Sequence, residues 1–116
     1  MIASGQLRAL IDDDGLKGVT SNPAIFEKSI TGSTDYDPAI EQLAAQNKTA
    51  MDIYESLVME DIQSAADVLR SVYEATNGRD GFVSLEVSPY LADDTEGTIE
   101  EGRRLWQAVD RNNVMI

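Results

Sequence analysis

The chain has no cysteine, so disulfide frameworks, thiolate zinc sites and cysteine nucleophiles are excluded together. It has no histidine either, which removes the histidine base of a serine hydrolase and any histidine-ligated metal centre. Basic residues are scarce: 9 against 21 acidic ones give a formal net charge of −12. Such a surface repels phosphate backbones and anionic lipid, so neither nucleic acid nor a membrane surface is expected as a partner. The acidic residues are spread along the chain rather than massed in a tail, as on a solvated globular surface. No apolar run approaches the ~20 residues of a membrane span. Residues Met1 to Gln6 have neither the basic start nor the apolar stretch of a secretory leader, so the cytoplasm is the expected compartment.

What is present suits one small domain of 116 residues, with a 42% hydrophobic fraction ordinary for a globular chain. Leu7, Leu10 and Ile11 at i, i+3, i+4 predict a short helix over Ser4 to Asp12, ended by Asp12-Asp13-Asp14-Gly15. Leu16 to Ser21 reads as a strand, stopped at Asn22-Pro23, where the proline opens a helix through Ile30. Asp37-Pro38 opens another helix to about Gln46. The clearest element follows: Thr49 and Asp52 have the form of a capping box, and apolar residues from Ile53 to Tyr73 hold helical spacing to Thr76.

Phe82 to Val87 alternates as a strand does. Thr95 is read as the N-cap of a helix carrying Ile99, Leu105, Trp106 and Val109, and Val114-Met115-Ile116 as the opening of a third strand. Strands alternating with helices imply parallel pairing through βαβ units. Three strands alone would leave sheet faces and edges bare, so the pattern reads as a piece of something larger.

In a β/α barrel, reacting groups lie at the C-terminal ends of the strands, on the face pointing inward. Val83, Leu85 and Val87 share one face of the second strand, and Phe82, Ser84 and Glu86 the other. Glutamate is depleted in strands, so Glu86 is either a working carboxylate or part of an edge strand's wet face. Thr20 and Asn22 share a face at the end of the first strand and offer a hydroxyl and an amide suited to sugar hydroxyls, or alternatively both cap the next helix. None of Lys17, Lys28 or Lys48 lies where desolvation or a second cation would activate it as a Schiff-base lysine. The acidic runs Asp12 to Asp14 and Asp93-Asp94 are assigned to turn chemistry and helix starts.

The strings GLKGVTSNPAIFEKSI (Gly15 to Ile30) and FVSLEVSPYLADDTEGTIEEGRRLW (Phe82 to Trp106) resemble transaldolases, most closely the bacterial branch that includes transaldolases fused to glucose-6-phosphate isomerase. The likeness runs through essentially the whole chain, which covers about a third of a full transaldolase. It implies an α/β fold, a partial (β/α)8 TIM barrel holding about strands 2 to 4 and their helices, with residues 1–116 inside one barrel domain. It also implies a class I aldolase mechanism in the pentose phosphate pathway. A lysine forms a Schiff base with a ketose phosphate, and a dihydroxyacetone unit passes to an aldose phosphate. The implied substrates are fructose 6-phosphate and sedoheptulose 7-phosphate as donors, and glyceraldehyde 3-phosphate and erythrose 4-phosphate as acceptors, with no cofactor and no metal. By position, Glu86 matches the family's acid/base glutamate, which works through a water, and Asn22 the asparagine that binds the dihydroxyacetone unit. Thr20 and Ser84 match polar residues lining the pocket.

The family's lysine follows a segment resembling NNVMI, and is expected directly after Ile116. The family's acid/base aspartate is expected shortly before Met1. On that reading the 116 residues alone are inactive and marginally stable. Two other readings compete. One is a small fructose-6-phosphate aldolase, disfavoured by the long helical insert from Asp37 to Thr76. The other is a non-catalytic acidic module that binds a protein partner.

Overall fold

The computed structural model describes Ile2 and residues 4–116; Met1 and Ala3, part of the stretch read for a leader, lie outside the described residues. The elements run α1 (Gln6–Asp14), β1 (Gly18–Val19), α2 (Pro23–Thr31), α3 (Asp37–Ala45), α4 (Ala50–Ala75), β2 (Phe82–Ser84), a 3₁₀ turn (Pro89–Leu91), α5 (Thr95–Val109) and β3 (Val114–Met115). The strands form one sheet in the order β1-β2-β3, both pairings parallel. This is the mixed α/β architecture and parallel pairing expected from the sequence.

The α4 helix is the spine of the fold. Its start is the expected capping box: the Thr49 hydroxyl accepts from the Asp52 amide at 3.1 Å, while the Asp52 carboxylate accepts from the Thr49 amide at 3.2 Å. Leu57, Val58, Ile62, Ala65, Ala66 and Leu69 form its buried stripe. All of these but Leu57 pack with Val83, Leu85, Val109 and Val114 into one core, so α4 covers one face of the sheet. Side chains fasten α1 and α5 to α4. Arg8 of α1 donates to the Ser71 hydroxyl and the Val68 carbonyl, both at 3.0 Å. Arg104 of α5 grips both Glu55 oxygens at 2.7 Å, and Gln63 donates at 3.1 Å to the Val109 carbonyl at the end of α5.

The strands are shorter than the alternation predicts. Only Gly18 and Val19 of Leu16 to Ser21 pair as strand, because Asn22 and Pro23 already turn the chain into α2. Glycine is required at position 18: a Cβ there would lie 2.8 Å from the Phe82 carbonyl oxygen. Beyond Ser84, the Leu85 amide still donates to the Met115 carbonyl at 2.8 Å, so β2 and β3 stay in register one residue further.

Two local expectations are corrected. The N-cap of α5 is Asp94, not Thr95: its carboxylate accepts from the Gly97 amide at 2.9 Å, and the absent side chain of Gly97 leaves room for it. Asp12 to Asp14 complete the last turn of α1 instead of following it, so their charge sits at the unfavourable end of the helix dipole. Of the apolar residues that α5 carries, Leu105 and Val109 enter the core, while Ile99 and Trp106 are 47% and 45% exposed on a different face.

Candidate functional site

Two faces of the sheet differ sharply. Val19, Val83, Leu85 and Val114 point toward the helices, and Val83, Leu85 and Val114 are buried. The register pairs Gly18 with Phe82 and Ser84 with Met115 on the other face. Continued at the same register, Thr20 stands opposite Ser84 and Asn22 opposite Glu86. On that continuation the four polar residues share one face just beyond the paired residues of β1 and β2. Ser84 and Asn22 are half-buried there, whereas Thr20 and Glu86 are exposed. Phe82 opens the same face; its ring meets Tyr73 of α4 edge-to-face at 5.4 Å.

Each of the four has a distinct local setting. Asn22 is the N-cap of α2, in extended backbone geometry, its side-chain oxygen accepting from the Ile25 amide at 2.9 Å. The capping alternative therefore holds for Asn22, and it leaves the side-chain NH₂ free of protein acceptors among the described residues. A cap that also holds its own NH₂ at a strand end is a preset donor for a ligand oxygen. Thr20 makes no such cap, and its hydroxyl, like that of Ser84 and the Glu86 carboxylate, has no side-chain partner among the described residues.

Between Thr20 and Asn22, Ser21 faces the other way. It is 7% exposed, and its hydroxyl donates to the Ser84 carbonyl at 2.6 Å. The sequence reading passed over it, because one serine on an otherwise aliphatic face carries no periodic signal. The lysines stand as expected: Lys17, Lys28 and Lys48 are all exposed, before β1, in the last turn of α2 and between α3 and α4.

A cavity of about 950 Å³ lies elsewhere, against Val19, Ser21 and Val83 on the helix-facing side of β1 and β2. Its floor includes Phe26, Leu57 and Ile62, and its rim Lys28, Tyr36 and Asp61; it reaches Thr20 but not Asn22, Ser84 or Glu86. On its rim the Tyr36 phenol donates to the Asp61 carboxylate at 2.5 Å. Partial burial and then this bond push the Tyr36 pKa up to about 12. A tyrosine held protonated beside an acceptor ties α3 to α4, so the cavity is better explained by helix packing than by chemistry. Among the described residues no group of three or more acidic side chains is arranged to hold a metal ion, and no helix is long and apolar enough to cross a membrane.

The family model for transaldolase and fructose-6-phosphate aldolase matches residues 1–116, the whole chain. The chain belongs to the transaldolase/fructose-6-phosphate aldolase family. It is 51% identical over 116 residues to "Transaldolase 2" of Nostoc punctiforme, covering 100% of this chain and 30% of that protein. It is 50% identical over 115 residues to the transaldolase of Saccharopolyspora erythraea and 45% identical over 116 to that of Neisseria gonorrhoeae, of which it covers 31% and 33%. The chain thus spans about a third of the length of the curated relatives it matches.

Proposed function

We propose that this chain supplies part of the active-site face of a transaldolase barrel. On this reading it contributes about the second to fourth strands, all of residues 1–116 lying within one (β/α)8 domain. The observation that carries it is the parallel pairing of Gly18 with Phe82 and Val19 with Val83, which, continued at the same register, sets Thr20 toward Ser84 and Asn22 toward Glu86 at the C-terminal ends of the two strands. Family membership gives that face its chemistry. The Asn22 NH₂ hydrogen-bonds the dihydroxyacetone unit of a ketose phosphate, Thr20 and Ser84 line the pocket, and Glu86 moves protons through a water as the imine forms and breaks.

The imine-forming lysine is supplied from outside these residues. Ser84 pairs with Met115, so the next position on the same face of β3 falls two residues further, opposite Glu86, and the lysine is expected there. A lysine beside a carboxylate that shuttles protons is a suitable arrangement for imine chemistry. Without it, carbon–carbon cleavage has no electron sink, and the 116 residues alone turn over no sugar phosphate. Transaldolase is favoured over fructose-6-phosphate aldolase because the relatives bearing that name match straight through α3 and α4.

The test is a graft in which these 116 residues replace the matching segment of the Nostoc punctiforme protein. Transfer of dihydroxyacetone from fructose 6-phosphate to erythrose 4-phosphate, within about tenfold of the unaltered enzyme, is the expected result. A graft that folds and melts cooperatively but transfers nothing contradicts the reading.

A further inference from the structure

Paired strand geometry joins β1 to β2 at Gly18↔Phe82 and Val19↔Val83 and goes no further. The candidate pairs lie beyond it, where Asn22 caps α2 and the chain leaves the sheet. One side-chain bond spans that gap among the described residues: the Ser21 hydroxyl to the Ser84 carbonyl, 2.6 Å. Ser21 sits between Thr20 and Asn22, and the carbonyl it holds belongs to the residue two before Glu86. Ser21 is 7% exposed and Ser84 half-buried, so the bond is partly withdrawn from water. In that setting a hydroxyl is unfavourable unless bonded, and a bonded one is held firmly.

We propose that Ser21 is a positioning residue: its buried hydroxyl clamps the diverging ends of β1 and β2 and so fixes the distance between the Asn22 amide and the Glu86 carboxylate. The proposal rests on the site reading above. The clamp acts through the backbone, touches no substrate, and lies on the opposite side of the strand from the groups it aligns. Small displacements matter in such a site, because misplacing a reacting group by about 1 Å can reduce turnover about a hundredfold.

The experiment uses the graft, with Ser21→Ala to remove the hydroxyl and Ser21→Thr to keep it. Turnover, KM for fructose 6-phosphate, and the rate at which borohydride traps the substrate imine are measured at a temperature where circular dichroism finds each variant fully folded. Ser21→Ala is expected to lower kcat and the trapping rate together by about ten- to a hundredfold. Ser21→Thr is expected to restore both to within about threefold of the unsubstituted graft. Unchanged kcat per folded molecule in Ser21→Ala, whatever happens to its melting temperature, makes the bond merely stabilising and overturns the proposal. A threonine variant as slow as the alanine variant also overturns it. A folded graft that is inert before any substitution overturns the site reading itself, and the role of Ser21 falls with it.

Discussion

Asn113 and Gly81 are joined at the base of the sheet: the Asn113 side-chain NH₂ donates to the Gly81 carbonyl at 3.0 Å and to the Ala66 carbonyl at 2.8 Å. Asn113 is fully buried, so one amide knits the entry to β2, the middle of α4 and the entry to β3. Its side-chain oxygen has no partner among the described residues, which offsets part of the gain. Asn113→Leu therefore strands two buried carbonyls but also removes one orphan acceptor, for a net loss of about 2 kcal/mol. A urea midpoint that does not move would show that the amide is not a joint of the fold.

Gly81 and Gly78 both adopt positive φ, at +86° and +76°, but their surroundings differ. A Cβ on Gly81 would lie 2.3 Å from the Tyr73 backbone nitrogen, a steric overlap, while one on Gly78 would rest 3.4 Å from the Tyr73 ring. Gly78→Ala should lose about 1 kcal/mol, the ordinary penalty of a left-handed alanine. Gly81→Ala should lose at least twice that, because the last turn of α4 must also move. Equal denaturation midpoints for the two variants would contradict the close approach.

The Tyr36 phenol, held at about 12, makes a pH prediction with a definite sign. A pKa raised above the unfolded value of about 10 stabilises the folded chain fully below that value, and the contribution is lost as pH rises toward the folded one. Tyr36→Phe should therefore abolish a drop in stability between about pH 10 and 12. A tyrosinate absorbance titration with every tyrosine ionising near its ordinary value would refute the bond to Asp61.

Asp67, Glu101 and Asp52 run the other way. The Arg111 guanidinium bonded to Asp67, the Arg104 guanidinium bonded to Glu101 and the Thr49 hydrogen bonds to Asp52 hold these carboxyls below their usual values. Depressed pKa values stabilise above the unfolded value of about 4 and are lost as pH falls below it. Asp52 and Asp67 are exposed and Glu101 only partly covered, so solvent screens these interactions and each contributes little. Arg111→Ala should accordingly leave stability at neutral pH nearly unchanged while weakening its dependence on pH below 4. A large neutral-pH loss would mean that α4 and the β3 entry depend on that pair far more than its exposure allows.

Much of the fold was legible because local signals were redundant. Thr49 and Asp52 marked the start of α4, and the apolar stripe from Leu57 to Leu69 marked its face, so two independent patterns agreed. Alternation in Phe82 to Val87 separated Val83 and Leu85 from Ser84 and Glu86, and burial follows that division. Register was not legible, since nothing local to Val19 says that Val83 stands opposite. The buried face of α5 was not legible, because counting apolar residues cannot tell Leu105 from Trp106, adjacent in sequence but pointing apart. Asp94 and Thr95 are both good caps, and only the space over Gly97 decides between them. Ser21 was invisible because its role depends on a carbonyl 63 residues away.

The central claim is that Glu86 works at a transaldolase site, and the kcat of Glu86→Gln in the graft tests it most directly. The substitution keeps size and polarity but removes proton transfer, so kcat should fall about 10²- to 10⁴-fold with little change in melting temperature. A glutamine variant that turns over as fast as the unsubstituted graft would make Glu86 a solvated strand-end carboxylate and contradict the account.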